Sequence, residues 1–408
     1  MKKKLFLFGL VITMFLQSCM KDNCTRTYTM WTPVYKTTAE VRANIKSSNP
    51  RLINNPGKLV VIGNYIYLNE VDKGIHVIDN SDPTKPINKH FIEIPGNVDV
   101  AIKGNILYAD LYTDLVTLDV TNQSSVQVSK ITDDVFEHRR YTSMADTNLI
   151  IVDWIKKDTT ITTECANNWQ GRGGVFMDLS SGSNGISTSQ AVGTGGSMAR
   201  FTILNDYLYT VTNSALNVFN ISSPRNPSFV NKLILPWGIE TIYPFKNNLF
   251  IGSTTGMFIY GTTTPNVPNQ IGRFTHARAC DPVIADDNFA YVTLRSGNDC
   301  AGFNNQIDVI NIQNATNPTL VKTYPLTNPH GLAKAGNTLL ICDGTAGLKV
   351  YNAANVNNLV LLQTIAGINA YDVIAINNIA IVVAKDGLYQ YNISNPSNIL
   401  LLSKTAIH

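Results

Sequence analysis

The stretch Gly74-Ile75-His76-Val77-Ile78-Asp79 decides the fold, because its pattern returns along the chain. A glycine precedes four residues with the β-branched and apolar character of a strand, and an Asp or Asn closes the phrase. Most copies lie about 40 residues apart, and repeats with this period form propellers or solenoids. The eight copies cover residues 74–79, 114–119, 174–178, 215–220, 256–261, 306–311, 347–352 and 387–392. Four are looser: Asp114, Ala215 and Gln306 replace the glycine, and Gly261 replaces the Asp or Asn.

Each repeat is expected to contain four short strands. In the second repeat these are residues 99–102, 106–109, 115–120 and 126–131, with a turn at Gly104-Asn105. Gly, Asn and Asp tolerate the positive φ of tight hairpins, and such residues recur at this turn in seven repeats. The closing Asp or Asn can accept a hydrogen bond from the N–H group two residues later. Helical periodicity is almost absent.

This pattern predicts an all-β fold, an eight-bladed β-propeller of four-stranded antiparallel blades. Seven blades are expected instead if residues 140–195 form an insertion, while a β-solenoid and two sandwiches are the other architectures. Closure would place the last blade, which ends near His408, against the first. The predicted blades are 57–95, 96–133, 140–195, 196–236, 237–275, 278–327, 328–366 and 368–408.

Composition limits the classes of partner. The chain has 408 residues, of which 44% are hydrophobic and 15% charged, with a formal net charge of +3. No basic run follows Lys2-Lys3-Lys4, so we expect no nucleic-acid partner.

The N-terminus has the form of a targeting segment. The three lysines precede an apolar stretch, residues 5–16, which is too short to span a bilayer. Leu16-Gln17-Ser18-Cys19 resembles a bacterial lipobox, which implies a signal peptide over residues 1–18 and acylation of Cys19. Lys21-Asp22 resembles the surface-export signal of Bacteroidetes lipoproteins. We therefore expect a lipid-anchored protein of the outer membrane that faces outward; an ordinary secretory signal is the alternative.

The remaining chain divides into a tether and the repeats. Residues 19–56 contain the lipidated cysteine, an extended lead-in and one short helix at 39–45, and residues 57–408 form the propeller. Outside the inner membrane disulfides can form. We expect a bond between Cys280 and Cys300, which flank one strand, and more weakly one between Cys24 and Cys165. Cys342 lies in an apolar strand and is expected to be a buried free thiol.

The repeat resembles the LVIVD-repeat family of bacterial surface lipoproteins over residues 57–408. Its pattern of an initial Asp, a Gly-Asn turn and a strand that ends Val-Ile-Asp is met by Asp99 with Gly104-Asn105, by residues 74–79, and by Asp372 with Asn378. The resemblance implies a propeller outside the cytoplasm and no catalytic residues.

Charged side chains at the start of the first strand in each blade form the candidate site. In a propeller these positions surround one mouth of the central channel. Converging carboxylates can hold calcium, bind a polar ligand or act as a general acid/base pair. The structural alternative is a ring in which the cations neutralise the acids and each Asp caps backbone N–H groups of neighbouring strands. The candidates are Lys58, Asp99, Arg200, Glu240, Asp281, His330 and Asp372.

Other residues are weaker candidates for a functional role. Residues 137–140 are expected to be a solvated charge run, and residues 193–196 a flexible glycine-rich loop rather than a phosphate site. Trp154 and Trp169 could stack on sugars or cover a blade edge, and Trp237 is expected in the core. His76 is expected to be a packed residue.

The sequence contains no known catalytic motif and identifies neither a metal nor another cofactor; calcium is the weak candidate. We expect a non-catalytic binding or scaffold module of the cell envelope, whose loops engage a protein or glycan. The alternative is a polysaccharide lyase or hydrolase that uses the channel carboxylates and His330.

Overall fold

The computed structural model describes residues 23–139, 149–164, 191–276, 282–296 and 304–408. The chain divides into two compact units, one of residues 1–36 and 151–177, the other of residues 37–150 and 178–408. The larger unit is a seven-bladed β-propeller.

Each blade is a four-stranded antiparallel sheet, and the first strands of successive blades contact one another around the centre. The strands of blades 1 to 3 are β3 Pro56–Ile62, β4 Tyr65–Glu70, β5 Gly74–Asp79, β6 Ile87–Glu93; β7 Val100–Lys103, β8 Ile106–Leu111, β9 Asp114–Asp119, β10 Gln127–Thr132; β13 Phe201–Leu204, β14 Tyr207–Val211, β15 Ala215–Asn220 and β16 Ser228–Ile234. Those of blades 4 and 5 are β17 Ile239–Phe245, β18 Asn248–Ser253, β19 Gly256–Gly261, β20 Asn269–Thr275; β21 Val283–Ala285, β22 Phe289–Leu294, β23 Gln306–Asn311 and β24 Thr319–Pro325. Those of blades 6 and 7 are β25 Leu332–Ala335, β26 Thr338–Cys342, β27 Leu348–Asn352, β28 Val360–Ile365; β29 Ala370–Ile376, β30 Ile379–Ala384, β31 Gly387–Asn392 and β32 Leu400–Ala406.

The repeated phrase forms the third strand of every blade, and its two ends have separate physical reasons. Gly74 has φ +143°, and a Cβ there would lie 2.0 Å from the carbonyl oxygen of Ile92 on the next strand. Only glycine avoids that overlap. At the other end, Asp79 Oδ1 accepts a hydrogen bond from Ser81 N at 2.9 Å, as the sequence predicts. The same contact recurs in six of the seven blades, and blade 4, which ends in Gly261, lacks the side chain for it.

The prediction of eight blades is wrong, and the alternative of seven is confirmed. Between blades 2 and 3 the described chain forms no further four-stranded sheet. Instead Tyr108 of blade 2 and Phe201 and Phe219 of blade 3 share one buried cluster, so the two blades pack directly. The copy of the phrase at residues 174–178 lies outside the described residues.

Ring closure occurs where the sequence predicts it. Ile53 forms a parallel bridge with Ile407, and His408 N donates to the Ile53 carbonyl at 2.8 Å. Asn80 of blade 1 and Gln390 of blade 7 exchange two amide hydrogen bonds of 2.9 and 2.6 Å. Apolar side chains of both blades pack in one core cluster. The last blade therefore lies against the first.

Residues 191–199 run inside the ring, which the sequence did not predict. The short strand β12, Thr194–Gly195, pairs with the free inner edge of β3, and Val192 bridges Lys103 of blade 2. Gly193 makes this close approach possible, because a Cβ there would lie 2.3 Å from Val60 and 2.5 Å from Ile102. The expectation of a flexible glycine-rich loop is thus wrong, since backbone pairing with two blades holds this segment in the channel.

The outer edge of blade 1 also gains a strand. The helix α1, Thr38–Ala43, confirms the short predicted helix, and its capping box joins Thr37 to Glu40. The strand β2, Lys46–Ser48, then pairs with β6, and together with β12 at the inner edge it makes the sheet of blade 1 six-stranded.

The smaller unit contains a two-stranded sheet of β1, Asn23–Thr37, and β11, Leu149–Glu164. The hydroxyls of Thr27 and Thr160 lie 3.1 Å apart, and Thr29 donates to Asp158 at 2.7 Å. From Thr27 to Thr29 the chain advances two residues in β1, while the partner moves back two residues in β11, from Thr160 to Asp158. This is the register of antiparallel strands.

Candidate functional site

The structure places six of the seven predicted residues at the starts of the inner strands. Lys58 lies in β3, Asp99 before β7, Arg200 before β13, Glu240 in β17, His330 before β25 and Asp372 in β29. Asp281 lies outside the described residues. These positions are at one end of the channel, which we call the mouth.

Lys58 is the centre of this arrangement. Its ammonium interacts electrostatically with Asp99, Asp372, Arg200 and Glu240, which come from four other blades. Burial lowers the pKa of Lys58, and the nearby carboxylates oppose that effect. The predicted convergence of charges therefore holds for these five residues.

Asp99 joins two blades through its carboxylate. The side chain is fully buried; Oδ1 accepts from Val100 N at 2.7 Å and Oδ2 from Arg200 N at 2.8 Å. Burial raises the pKa of Asp99 to about 7, although Lys58 and the two N–H groups act in the opposite direction. With both oxygens engaged, this carboxylate behaves as the structural cap of the ring hypothesis.

Asp372 is held less completely. Its Oδ1 accepts from Val373 N at 3.0 Å and from the Ser197 hydroxyl at 3.4 Å. Its Oδ2 is buried and has no hydrogen-bond partner of normal geometry among the described residues. Burial raises the pKa of Asp372 to about 6, opposed chiefly by Lys58. The backbone N–H of Met198 also bonds this carboxylate and lowers its pKa, so Asp372 too is held by N–H groups.

Two glycines shape the space around Asp372. A Cβ at Gly196 would lie 2.0 Å from Oδ2, and a Cβ at Gly331 would lie 2.1 Å from Oδ1. Ser197, beside Gly196, also accepts the Leu332 N–H at 2.8 Å. The segment inside the channel therefore helps to position Asp372, which only the tertiary structure reveals.

Arg200 links blades 3 and 4 through backbone carbonyls. The side chain is 1% exposed; Nε donates to Glu240 O at 2.6 Å and Nη2 to Ile239 O at 3.1 Å. These bonds fix the guanidinium at the mouth and give it a structural role there.

His330 and Arg295 form the other side of the mouth. Burial and the Arg295 charge lower the pKa of His330 to about 4, so the imidazole is neutral at pH 7. Burial also lowers the pKa of Arg295, against the attraction of Glu240. Arg295 was not among the candidate site residues, although it begins residues 295–304, whose sequence interrupts the repeat.

A buried ion pair next to the mouth was also missed. Arg139 is 3% exposed and binds Asp110 through Nη1 at 2.5 Å, while Nη2 contacts Asp72 at 3.0 Å. The prediction that residues 137–140 are a solvated charge run is wrong for Arg139. The one sequence feature that could have indicated this ion pair is Asp110, a carboxylate at the end of an otherwise apolar strand.

The described residues contain no group of three or more His, Cys, Asp or Glu side chains arranged to hold a metal ion. Asp99, one of the predicted calcium ligands, has both oxygens engaged by N–H groups. The mouth also contains Lys58 and Arg295, whose charges oppose cation binding.

The structure tests only one of the predictions about the cysteines. Cys342 is a buried free thiol, as predicted. Cys280, Cys300 and Cys165 lie outside the described residues, and the side chain of Cys24 does too. The predicted disulfide stays a prediction.

The aromatic candidates differ from expectation in one case. Trp237 is 68% exposed, so its predicted core position is wrong. Trp154 is 43% exposed, and Trp169 lies outside the described residues. His76 is buried against Phe91 and binds Glu70 at 2.9 Å, which confirms the prediction of a packed histidine.

Two grooves lined by described residues lie at the opposite end of the channel. One, of about 490 Å³, lies between blades 5 and 6 and includes Asp286, Tyr291 and Lys334. The other, of about 670 Å³, lies between blades 1 and 2 and includes Tyr67 and Gln123. Neither groove contains a mouth residue.

No α-helix in the described residues is long and apolar enough to cross a membrane. Residues 1–22, which contain Cys19, are outside that search.

Comparisons with known proteins support the fold. Residues 56–91, 96–134 and 278–325 match the LVIVD repeat. The search of curated proteins finds no match to this chain. A functionally unknown protein from Desulfotomaculum acetoxidans is similar, with 13% identity, 86% of this chain and 99% of that chain covered, and a TM-score of 0.50.

Two further solved structures are similar. The periplasmic gluconolactonase of Pseudomonas aeruginosa has 11% identity and a TM-score of 0.53, with 86% of this chain and 96% of that chain covered. The computationally designed protein Ika8 has 11% identity and a TM-score of 0.51, with 88% and 91% covered. Such low identities show the fold alone. The chain is therefore a seven-bladed β-propeller that contains LVIVD repeats.

Proposed function

We propose that this protein is a non-catalytic binding or scaffold module of the bacterial cell envelope. Acylation of Cys19 anchors it in the outer membrane with the propeller at the cell surface. A protein or glycan partner binds the loops at the mouth. The anchor rests on the N-terminal sequence, and the partner surface rests on the geometry of Trp237.

Trp237 is the observation that carries the proposal. It lies in the loop between the outer strand of blade 3 and the inner strand of blade 4, and 68% of its surface is exposed. Gly238, with φ +88°, donates to Asn213 O and accepts from Thr254 N, each at 2.8 Å. The backbone next to the indole is thus fixed, and the indole itself is exposed to solvent. Exposed aromatics are common anchors for sugars and protein partners.

The experiment compares Trp237→Ala with a matched control, Phe229→Ala. Phe229 is 52% exposed on the outer strand of the same blade. The purified full chain is tested against a panel of purified polysaccharides, and protein partners are trapped on intact cells by a photoreactive residue in place of the exposed neighbour Pro236. Loss of a hot-spot aromatic costs about 2 kcal/mol or more, about thirtyfold in affinity. Binding that survives in Trp237→Ala, or its absence in the wild type, would refute the proposal.

The anchor has a separate test. Radiolabelled palmitate should enter the wild-type protein and not Cys19→Ala, and the variant should leave the membrane fraction. Protease added to intact cells should degrade the wild-type protein if the propeller faces outward. Equal labelling of the two proteins would refute the proposed lipid anchor and would leave the Trp237 test unaffected.

The enzyme alternative has one favourable observation, the raised pKa values of Asp99 and Asp372. A general acid or base must also reach the proton that it transfers. Both oxygens of Asp99 are engaged by N–H groups, which favours the binding module. Cleavage of any polysaccharide in the panel that Asp372→Asn abolishes would replace the proposal with this alternative.

A further inference from the structure

Residues 51–55 join the first blade to the last, and we call them the closing segment. On the side of blade 7, Ile53 bridges Ile407, and its carbonyl accepts from His408 N at 2.8 Å. Ile53 is 2% exposed and packs in a core cluster with side chains of both blades. The contact that closes the ring therefore depends on how the closing segment is held against blade 1.

Two side chains of blade 1 hold the closing segment. The Glu70 carboxylate accepts from the last two N–H groups of the segment, at 3.1 and 3.0 Å. The side-chain nitrogen of Asn88 donates to the Arg51 carbonyl at 3.0 Å. Both side chains also contact the His76 ring, whose Nε2 lies 2.9 Å from Glu70 Oε2 and whose Nδ1 lies 3.2 Å from Asn88 Nδ2. The imidazole thus lies between the two groups that bind the closing segment.

These contacts specify a neutral imidazole. Because the Asn88 NH₂ is a donor, His76 Nδ1 must be the acceptor, and the ring proton is on Nε2, from which it is donated to Glu70. The ring is fully buried. Both ring nitrogens therefore have complementary partners while the ring carries one proton.

The groups around the ring come from three elements. Burial has the largest effect and lowers the pKa of His76, while Glu70 of β4 acts in the opposite direction and Arg51 of the closing segment adds to the lowering. Arg51 itself pairs with Glu93 of β6 at 2.6 Å. Phe91, also of β6, meets the ring edge-on at 4.8 Å and carries no charge. The surroundings of the ring thus favour its neutral form.

A second proton on the ring conflicts with this arrangement. Nδ1 would then carry a hydrogen and face the Asn88 NH₂, so that two donors oppose each other. Rotation of the Asn88 amide would bring Oδ1 to the imidazolium, and within the described part of the molecule this buried oxygen has no hydrogen-bond partner to lose. The same rotation would take the NH₂ away from the Arg51 carbonyl. Accommodating the proton in this way costs the closing segment a hydrogen bond.

We propose that His76 is a proton sensor that loosens the closing segment in mild acid, and with it the contact between the last blade and the first. In a loosened segment the ring meets water and its pKa returns toward the ordinary value of 6.5, so the open state binds the proton more tightly than the closed state. The closed state is therefore favoured above pH 6.5 and loses its advantage as pH falls below 6.5. This device depends neither on Trp237 nor on the lipid anchor.

The test is amide hydrogen exchange of the full chain at pH 7.5 and pH 5.0, followed by mass spectrometry. Rates are converted to protection factors, which remove the pH dependence of the exchange chemistry itself. The readouts are the closing segment and His408, and peptides of blade 4 are the internal reference. An exposed imidazole with a pKa of 6.5 favours the open state by up to about thirtyfold at pH 5, so protection should fall by about tenfold or more relative to blade 4. A fall of less than about threefold would overturn the proposal.

His76→Gln identifies the sensor. Gln cannot titrate, and its amide can still donate to Glu70, so protection of the closing segment should be equal at the two pH values. His90→Gln is the matched control, because His90 is half-buried in β6 of the same blade, and this variant should respond to pH as the wild type does. Glu70 does not titrate in this range: burial raises its pKa, but the hydrogen bonds from His76 and the closing segment outweigh burial and lower it. A pH response of His76→Gln equal to that of the wild type would assign the effect to another group and overturn the proposal.

Asn88→Asp tests the amide and keeps the proposal falsifiable if His76→Gln does not fold. Asn88 is only half-buried, so the variant should fold, which circular dichroism verifies. A carboxylate cannot donate to the Arg51 carbonyl, and it accepts from the imidazolium. The closing segment should therefore be weakly protected at both pH values. Strong protection at pH 7.5 that is lost at pH 5.0, as expected of the wild type, would show that the Asn88 amide does not connect the ring to the segment.

Discussion

Asp372→Asn should make the propeller less sensitive to pH. In the folded protein the pKa of Asp372 rises from 3.8 to about 6, chiefly because the carboxyl is buried. The folded state therefore holds this proton more tightly than the unfolded chain. Its contribution to stability is complete below pH 3.8 and is lost as pH rises through 6. A shift of roughly two pKa units corresponds to about 3 kcal/mol.

The substitution is suited to isolating this effect. Asn keeps the oxygen that accepts from Val373 N and the Ser197 hydroxyl, and it removes the charge. The Met198 N–H, which also bonds the carboxylate, loses a charged acceptor, but that loss does not depend on pH above 6. Within the described part of the chain, Lys58 and Cys342 interact electrostatically with Asp372; burial raises the pKa of the Cys342 thiol, so it stays neutral. Lys58 still faces Asp99 in the variant, and Asp99, with a pKa of about 7, titrates in both proteins.

The assay is urea denaturation of both proteins between pH 4 and pH 8, followed by circular dichroism. The free energy of unfolding of the variant, relative to wild type, should rise by about 2.4 kcal/mol across this range. Asp99→Asn is the contrast. Its new amide NH₂ would face either Arg200 N or Val100 N, so it should lose about 1–3 kcal/mol even at pH 4. A difference between Asp372→Asn and wild type that does not change with pH would refute the reasoning.

Three further predictions concern the scaffold. Gly74→Ala should lower the free energy of unfolding by more than about 2 kcal/mol because of the overlap with Ile92 O, whereas Gly63→Ala, which has open space and φ +52°, should cost about 1 kcal/mol; equal losses in urea denaturation would contradict this. Arg139→Met should cost about 3–5 kcal/mol by leaving the buried Asp110 charge unpaired, and adding Asp110→Asn should recover part of the loss in the same assay. Cys342 should not react with a thiol reagent in the native protein, because it is buried and its pKa is raised; rapid labelling before denaturation would show that blade 6 opens.

The candidate site was predictable in its positions but not in its chemistry. Alignment on the first turn of each blade indicated Lys58, Asp99 and Asp372, because equal spacing from that turn means equal height in the channel. It did not indicate that Arg200 N would bind Asp99, or that Ser197 would bind Asp372. Those contacts join residues more than 100 positions apart, and no local pattern encodes them.

The sequence by itself determined the blade. Gly74 is required where the neighbouring carbonyl leaves no space for a Cβ, and Asp79 is required where a side chain closes the next turn. Both requirements act within one repeat, so they are visible as a motif. The number of blades, the segment inside the channel, the burial of Arg139 and the exposure of Trp237 were decided only by the tertiary structure. Each depends on which surfaces meet when the ring closes, and that is the sum of packing between all the blades rather than a property of any one repeat.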